Sequence, residues 1–288
     1  MKGIILAGGT GSRLHPATLA TSKQLLPVFD KPMVYYPLST LLLAGIRDIL
    51  LVSTPVDLPR FQALLGTGED LGISLSYQEQ KEPKGIAEVF TLAEKFIDNS
   101  PIALILGDNL LYGDGLHSIL GQVSSLASEK EGAFIFGYRM QDPSRYGVVD
   151  LTKDGLVIAV EEKPIKPLSP YAIPGIYFYD AHATSYAKML QPSKRGELEI
   201  TDLHQMYLQK KKLFCQVLPK GFAWLDAGTP SALLEASFFV KTMQERQGLQ
   251  IGCIEEIAYE KGYITVDALK DRARKYNNSY GKYLFSLV

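Results

Sequence analysis

Cysteine is nearly missing: Cys215 and Cys253 are the only two in 288 residues. Two cysteines build neither a disulfide framework nor a four-thiolate metal site, and both are expected to sit reduced in a cytoplasmic protein. An excess of either charge is missing as well. Lys and Arg number 30 against 31 Asp and Glu, a formal net charge of −1. That balance excludes a general nucleic-acid binder, whose phosphate contacts need a basic face. No apolar run approaches the ~18 residues of a membrane span, so no membrane partner is expected. Histidine occurs four times, at His15, His117, His182 and His204, without metal-site spacing, and no Ser-His-Asp arrangement stands out. Internal repeats and low-complexity segments are also lacking.

What remains is an ordinary globular composition. Hydrophobic residues make up 46% and charged residues 21%, which excludes a disordered chain. This length buries a sizeable core without covalent staples. The apolar stretch that opens the sequence is too short for a signal-peptide h-region. It is expected to be a buried first strand running into a glycine turn.

Short runs rich in Ile, Leu and Val at 2–7, 48–53, 73–78 and 102–106 read as strands buried on both faces. Helix-length segments at 34–44, 58–65, 86–96 and 117–128 separate them. Strands alternating with helices predict an α/β fold, doubly wound around a mostly parallel sheet. The middle changes style. Residues 147–151 and 156–161, joined by a turn at 152–155 that contains Asp154-Gly155, predict a β-hairpin. Further elements are expected at 176–179 (strand), 183–190 and 200–210 (helices) and 214–218 (strand). From Pro230 the pattern is helical. The expected organisation is a core over 1–228 and a helical extension over 229–288 packed on it.

Residues 8–13 read Gly-Gly-Thr-Gly-Ser-Arg, directly after the first strand. Glycines let backbone approach a ligand and adopt positive φ, and successive N–H groups at such a turn attract anions. A plain strand-to-helix turn has the same appearance. Arg13 and the Lys23-Gln24 pair favour phosphate chemistry, because cations suit a glycine cradle. Neither standard template fits. The dinucleotide fingerprint needs a third glycine where Leu14 stands, and the Walker pattern needs Gly-Lys-Ser/Thr where Gly11-Ser12-Arg13 stands.

Residues 2–14 (KGIILAGGTGSRL), 22–27 (SKQLLP), 30–33 (DKPM), 106–109 (LGDN), 145–148 (RYGV), 161–164 (EEKP), 196–202 (GELEITD) and 223–226 (AWLD) occur in one order along the chain. Together they resemble the sugar-nucleotide nucleotidyltransferases, most closely the branch that transfers thymidylate to glucose 1-phosphate. The resemblance covers essentially the whole chain. It implies Mg2+-dependent condensation of dTTP with glucose 1-phosphate to dTDP-glucose and pyrophosphate, by direct in-line attack on the α-phosphorus. It further implies a Rossmann-like fold, a homotetramer and a first step toward dTDP-rhamnose or related dTDP-sugars.

Roles for individual residues follow from the same resemblance. Arg13 and Lys23 would hold the leaving pyrophosphate. Leu6, Gly8, Gly9, Thr10, Gly11 and Gln24 would complete the nucleotide site, with Gln80 and Gly85 reading the base. Asp108, at the end of a predicted strand, and Asp226 would bind Mg2+; taken alone, each reads more readily as a turn or capping aspartate. Lys163 would bind the sugar's phosphate and Glu162 the sugar hydroxyls, although the bare motif also reads as a solvated charge run. Asn109, Tyr146, Gly147, Ile173 and Trp224 would complete the sugar pocket, supported by Arg195, Glu199 and Thr201. Gly115, His117, Lys220 and Glu256 match a regulatory site at which a dTDP-sugar end product would bind. The sequence departs from the family pattern at Lys81, Ile86, Pro174 and Ala227.

Other readings stand beside this one. A sister enzyme would use UTP or another hexose 1-phosphate. An NAD-dependent oxidoreductase needs the missing third glycine. A non-catalytic nucleotide-sugar sensor would lack Lys163 or the two aspartates, and all three are present.

Overall fold

A computed structural model describes all 288 residues. The strands, in chain order, are β1 (Lys2–Leu6), β2 (Pro27–Val28), β3 (Lys31–Pro32), β4 (Asp48–Ser53), β5 (Ser74–Glu79), β6 (Ile102–Leu106), β7 (Asn109–Tyr112), β8 (Ala133–Arg139), β9 (Gly147–Leu151), β10 (Val157–Glu162), β11 (Tyr171–Ala172), β12 (Ile176–Tyr179), β13 (Leu213–Val217) and β14 (Ala223–Asp226). The helices are α1 (Tyr35–Leu43), α2 (Leu58–Leu65), α3 (Glu88–Leu92), α4 (Glu94–Ile97), α5 (Leu116–Glu129), α6 (Ala183–Ala187), α7 (Ile200–Gln209), α8 (Pro230–Gln247), α9 (Ile254–Glu260), α10 (Val266–Arg274) and α11 (Ser279–Ser286).

The main sheet runs β10-β9-β11-β8-β12-β6-β1-β4-β5, with β13 added beside β8. From β5 to β6 every pairing is parallel. Strand β12 then enters antiparallel to both β6 and β8, and the hairpin β9–β10 continues that half. The sheet is therefore α/β and doubly wound, parallel at its N-terminal half and mixed as a whole. Side chains along each strand alternate between two cores, as the two-residue strand period requires. Ile5, Ile49, Leu51, Ala103 and Ile105 meet α1, α2 and α5 on one face. Ile4, Leu50, Val52, Ile102 and Leu104 meet the α3, α6 and α7 layer on the other.

Most expected elements are present within a residue or two. The expected helix at 86–96 is two short ones, α3 and α4, meeting at Ala93. At the start of α3, the Ala87 N–H, which has no partner within the helix, donates to the Leu198 carbonyl (3.1 Å). Six strands lay outside the expected set: the two-residue β2, β3 and β11, and the longer β7, β8 and β14. Helix α8 packs its Ala236 and Val240 with Val28, Met33, Tyr36 and Leu110. Helix α9 contributes Ile254, Ile257 and Ala258 to the first core. Both cysteines are free.

Two topological facts position the site. Strand β1 has β4 on one side and β6 on the other, so the turn that leaves it opens at a switch point, where doubly wound sheets bind ligands. Beyond the end of β6, the chain turns into β7, which pairs antiparallel with β14.

Candidate active site

The β7–β14 pair explains how two distant aspartates meet. Its register sets Asp226 opposite Asn109, and Ala227 N–H donates to the Asp108 carbonyl (3.2 Å). Both carboxylates line a cleft of about 560 Å3 at the C-terminal edge of the parallel strands. Burial alone would raise the Asp108 pKa, but the Lys23 ammonium, with which it forms an ion pair, and the Asn109 amide (3.1 Å) hold it below the usual range. Asp226 goes the other way: burial and the neighbouring Asp108 charge push its pKa up, against the attraction of Lys23 and Arg13. Opposite shifts in one small volume mark a place that favours added positive charge.

One wall of the cleft comes from the glycine loop. Gly9 (φ +97°) and Gly11 (φ +59°) occupy the left-handed region that favours glycine. The Thr18 hydroxyl donates to the Gly11 carbonyl (2.8 Å) and fixes the loop's far side. Leu6, Gly8, Arg13, Lys23 and Gln24 line the cleft, while Gly9, Thr10 and Gly11 line an adjoining hollow of about 190 Å3 that shares Gly8, Arg13 and Lys23 with it. Arg13 forms no ion pair, so its donors are free for a ligand. Gly228 closes this corner. A Cβ there would lie 2.8 Å from Asp226 Oδ1 and 2.9 Å from Arg13 Nη2, so its lack of a side chain leaves room for both groups beside it.

The facing wall is built from side chains. Glu162 ends β10, accepts from the Thr201 hydroxyl (2.5 Å) and lies 3.4 Å from Lys163 Nζ. Lys163 has φ +45°, a strained value for a non-glycine residue, and its N–H is held by the Tyr146 carbonyl (3.0 Å). Arg195 pairs with Glu197 (2.8 Å) and lies 3.7 Å from Glu199, which also accepts from Ser193 (2.8 Å). Asn109 Oδ1 accepts from the Trp224 indole (2.6 Å) and from Gly175 N–H (2.9 Å). The Trp224 ring meets Tyr146 edge-on at 4.7 Å. Burial, and then the Asp226 charge, raise the Tyr146 phenol pKa.

The cleft therefore gathers Leu6, Gly8, Arg13, Lys23, Gln24, Asp108, Asn109, Tyr146, Gly147, Glu162, Lys163, Ile173, Arg195, Thr201, Trp224 and Asp226. Three expected residues stand behind its walls. Glu199 contacts Arg195 and Ser193. Gln80 is buried directly behind Gly8, whose added Cβ would lie 2.4 Å from Gln80 Oε1. Gly85 (φ +105°) packs on the Leu198 backbone, 2.4 Å from where a Cβ would stand, so this packing alone requires glycine there. Gly115, His117 and Glu256 line a second cavity of about 570 Å3 together with Asp114 and Glu260; Lys220 is not in that lining.

Arg145, Gly175, Tyr177, His204 and Gly228 belong to the site and were not singled out from sequence. Arg145 had a signal, since it opens the 145–148 motif. Gly228 and His204 had none that sequence alone could interpret.

A hard divalent cation fits the donor set. Two carboxylates supply oxygen ligands, and Mg2+ takes the rest from phosphates and water.

Residues 2–243 match the family model described as nucleotidyl transferase. A glucose-1-phosphate thymidylyltransferase of Neisseria gonorrhoeae is 51% identical over 100% of this chain and 99% of its own. One of Mycolicibacterium smegmatis is 51% identical with the same coverage. A crystal structure from Bacillus anthracis, described as a candidate glucose-1-phosphate thymidylyltransferase in complex with sucrose, superposes with a TM-score of 0.76 at 41% identity, over 83% of this chain and 94% of that one. A UDP-glucose pyrophosphorylase complexed with UDP-glucose shares the fold, with a TM-score of 0.72 at 24% identity over 84% of this chain and 98% of that one.

Proposed function

The chain belongs to the nucleotidyl transferase family, and on that premise we propose that it condenses dTTP with α-D-glucose 1-phosphate to give dTDP-glucose and pyrophosphate. The observation that carries this reading is the placement of charge in the cleft. Arg13 and Lys23 stand on the glycine wall, Lys163 and Arg195 on the facing wall, and Asp108 and Asp226 share the same cleft. Two cationic stations suit two phosphorylated substrates. The names of the N. gonorrhoeae and M. smegmatis relatives supply the substrate class.

An oxygen of the sugar phosphate attacks the α-phosphorus in line. The bond from that phosphorus to the oxygen bridging to the β-phosphorus breaks, and pyrophosphate leaves with the electron pair. No covalent enzyme intermediate is needed, so the protein's work is alignment and charge neutralisation. Arg13 and Lys23 offset the charge that develops on pyrophosphate. Lys163 and Arg195 hold the attacking phosphate, with Glu162 accepting from sugar hydroxyls. Asp108 and Asp226 would hold Mg2+, which supplies positive charge at the transferring phosphoryl group.

The test is a panel: purified protein with dTTP, UTP, CTP, ATP or GTP against several hexose 1-phosphates, with and without chelator, reading pyrophosphate release. The expected result is fastest release with dTTP and glucose 1-phosphate, slower release with UTP, and none in excess chelator. Preference for UTP or for another hexose 1-phosphate would assign a sister reaction. Full activity in chelator would remove the metal role.

A further inference from the structure

We infer that Glu88 is a positioning residue that sets base preference by fixing which way the Gln80 amide faces. The inference rests on the reading that Gln80 meets the base edge.

Glu88 opens α3 and is not a cleft residue. One of its carboxylate oxygens, Oε2, accepts from Gln80 Nε2 (2.8 Å) and from the Lys84 N–H (3.2 Å). A carboxylate oxygen only accepts, so the amide nitrogen of Gln80 must be the end that faces it. The flipped amide would set its oxygen against the carboxylate, two acceptors in contact at a buried position. Gln80 Oε1 is thereby turned toward Gly8, which lines the cleft, and no protein donor reaches it. The second Nε2 hydrogen stays free. The Lys84 bond ties the segment before Gly85 to the same carboxylate.

This fixed orientation has a chemical consequence. Uracil and thymine present a carbonyl acceptor at position 4 and an N–H donor at position 3. Cytosine presents the reverse, an amino donor and a bare ring nitrogen. A locked Gln80 offers one acceptor and one donor in a set order, which matches only the first edge. An unlocked amide rotates and accommodates either, so discrimination against cytosine originates at Glu88.

The comparison to make is dUTP against dCTP with glucose 1-phosphate, because these bases differ only at that edge. The readout is the kcat/KM ratio for the wild type, Glu88→Ala, Glu88→Met, Glu88→Gln and Gln80→Ala. Glu88→Met keeps the side-chain length without an acceptor, in case the alanine variant folds poorly. The ratio is expected to fall about tenfold or more in Glu88→Ala and Glu88→Met. It should hold within about threefold in Glu88→Gln, whose amide oxygen still accepts from Nε2. Gln80→Ala should collapse it. A collapsed ratio in Gln80→Ala beside a wild-type ratio in both Glu88→Ala and Glu88→Met would overturn the role of Glu88 and leave Gln80 as the reader. An unchanged ratio in Gln80→Ala would show that Gln80 does not read the base, and the inference about Glu88 would fall with it.

Discussion

On the wall that follows β1, the surface offered to a ligand is largely main chain: Gly8, Gly9, Thr10 and Gly11, backed by Arg13 and Lys23. On the wall that follows β10, it is side chain: Glu162 held by Thr201, Lys163 in a strained backbone, Arg195 tethered by Glu197 and Glu199. A triphosphate is recognised through its many equivalent oxygens, for which N–H groups and two cations suffice. A sugar phosphate presents one phosphate and several distinct hydroxyls, and telling these apart takes directed carboxylates and amides. The first wall sits in the parallel half of the sheet, at the switch point. The second sits in the mixed half, where hairpin and helix ends bring side chains from separate segments together.

The largest expected effect lies where both walls serve the same step. Asp226→Asn removes one carboxylate charge beside both substrates while keeping its shape. Turnover should fall at least ~100-fold, about 2.7 kcal/mol, with a wild-type circular-dichroism spectrum. A loss under about tenfold, with that spectrum unchanged, would mean the aspartate is structural.

A second test concerns the helix behind the side-chain wall. His204 on α7 is fully buried; its Nε2 meets the Tyr179 hydroxyl (2.7 Å), and its Nδ1 has no partner. Burial lowers its pKa to about 3. The unfolded chain takes up that proton near pH 6.5, while the folded chain resists it down to about 3. Stability is therefore full above pH 6.5 and is lost as pH falls through that window, by about 2 kcal/mol at pH 5. Urea melts at pH 7.5 and pH 5 should show this loss in the wild type and a smaller one in His204→Gln. Equal losses in the two proteins would contradict a neutral, buried His204.

The smallest effect tests the main-chain wall. Gly8→Ala places a methyl group 2.4 Å from the present position of Gln80 Oε1, so that side chain must move. Affinity for dTTP should fall about tenfold, with glucose 1-phosphate affinity held within about threefold. Equal losses for both ligands would erase the distinction between the walls.

The two walls also differed in legibility. Glycine spacing after a strand announces a backbone cradle, because few other residues adopt the φ values that Gly9 and Gly11 show. The run Glu161-Glu162-Lys163-Pro164 carries no such mark; it reads as solvated charge until a hairpin and α7 enclose it, and only family resemblance pointed there. The meeting of Asp108 and Asp226 depends on β7 and β14, four-residue strands too short to show a period. Gly85 was expected, by resemblance, at the base; its packing on the Leu198 backbone, which joins segments over a hundred residues apart, left no mark in the sequence. The parallel strands were the easiest to place, since burial on both faces writes them as unbroken apolar runs.

The division of the cleft into two anion stations is tested most directly by crossed titration calorimetry, with dTTP and glucose 1-phosphate each titrated alone into Arg13→Ala and Lys163→Ala. Arg13→Ala should lose at least about tenfold in dTTP affinity and keep glucose 1-phosphate affinity, and Lys163→Ala should do the reverse. If both variants lost the same ligand, or if Lys163→Ala lost dTTP while holding the sugar phosphate, the assignment of the two walls would be contradicted.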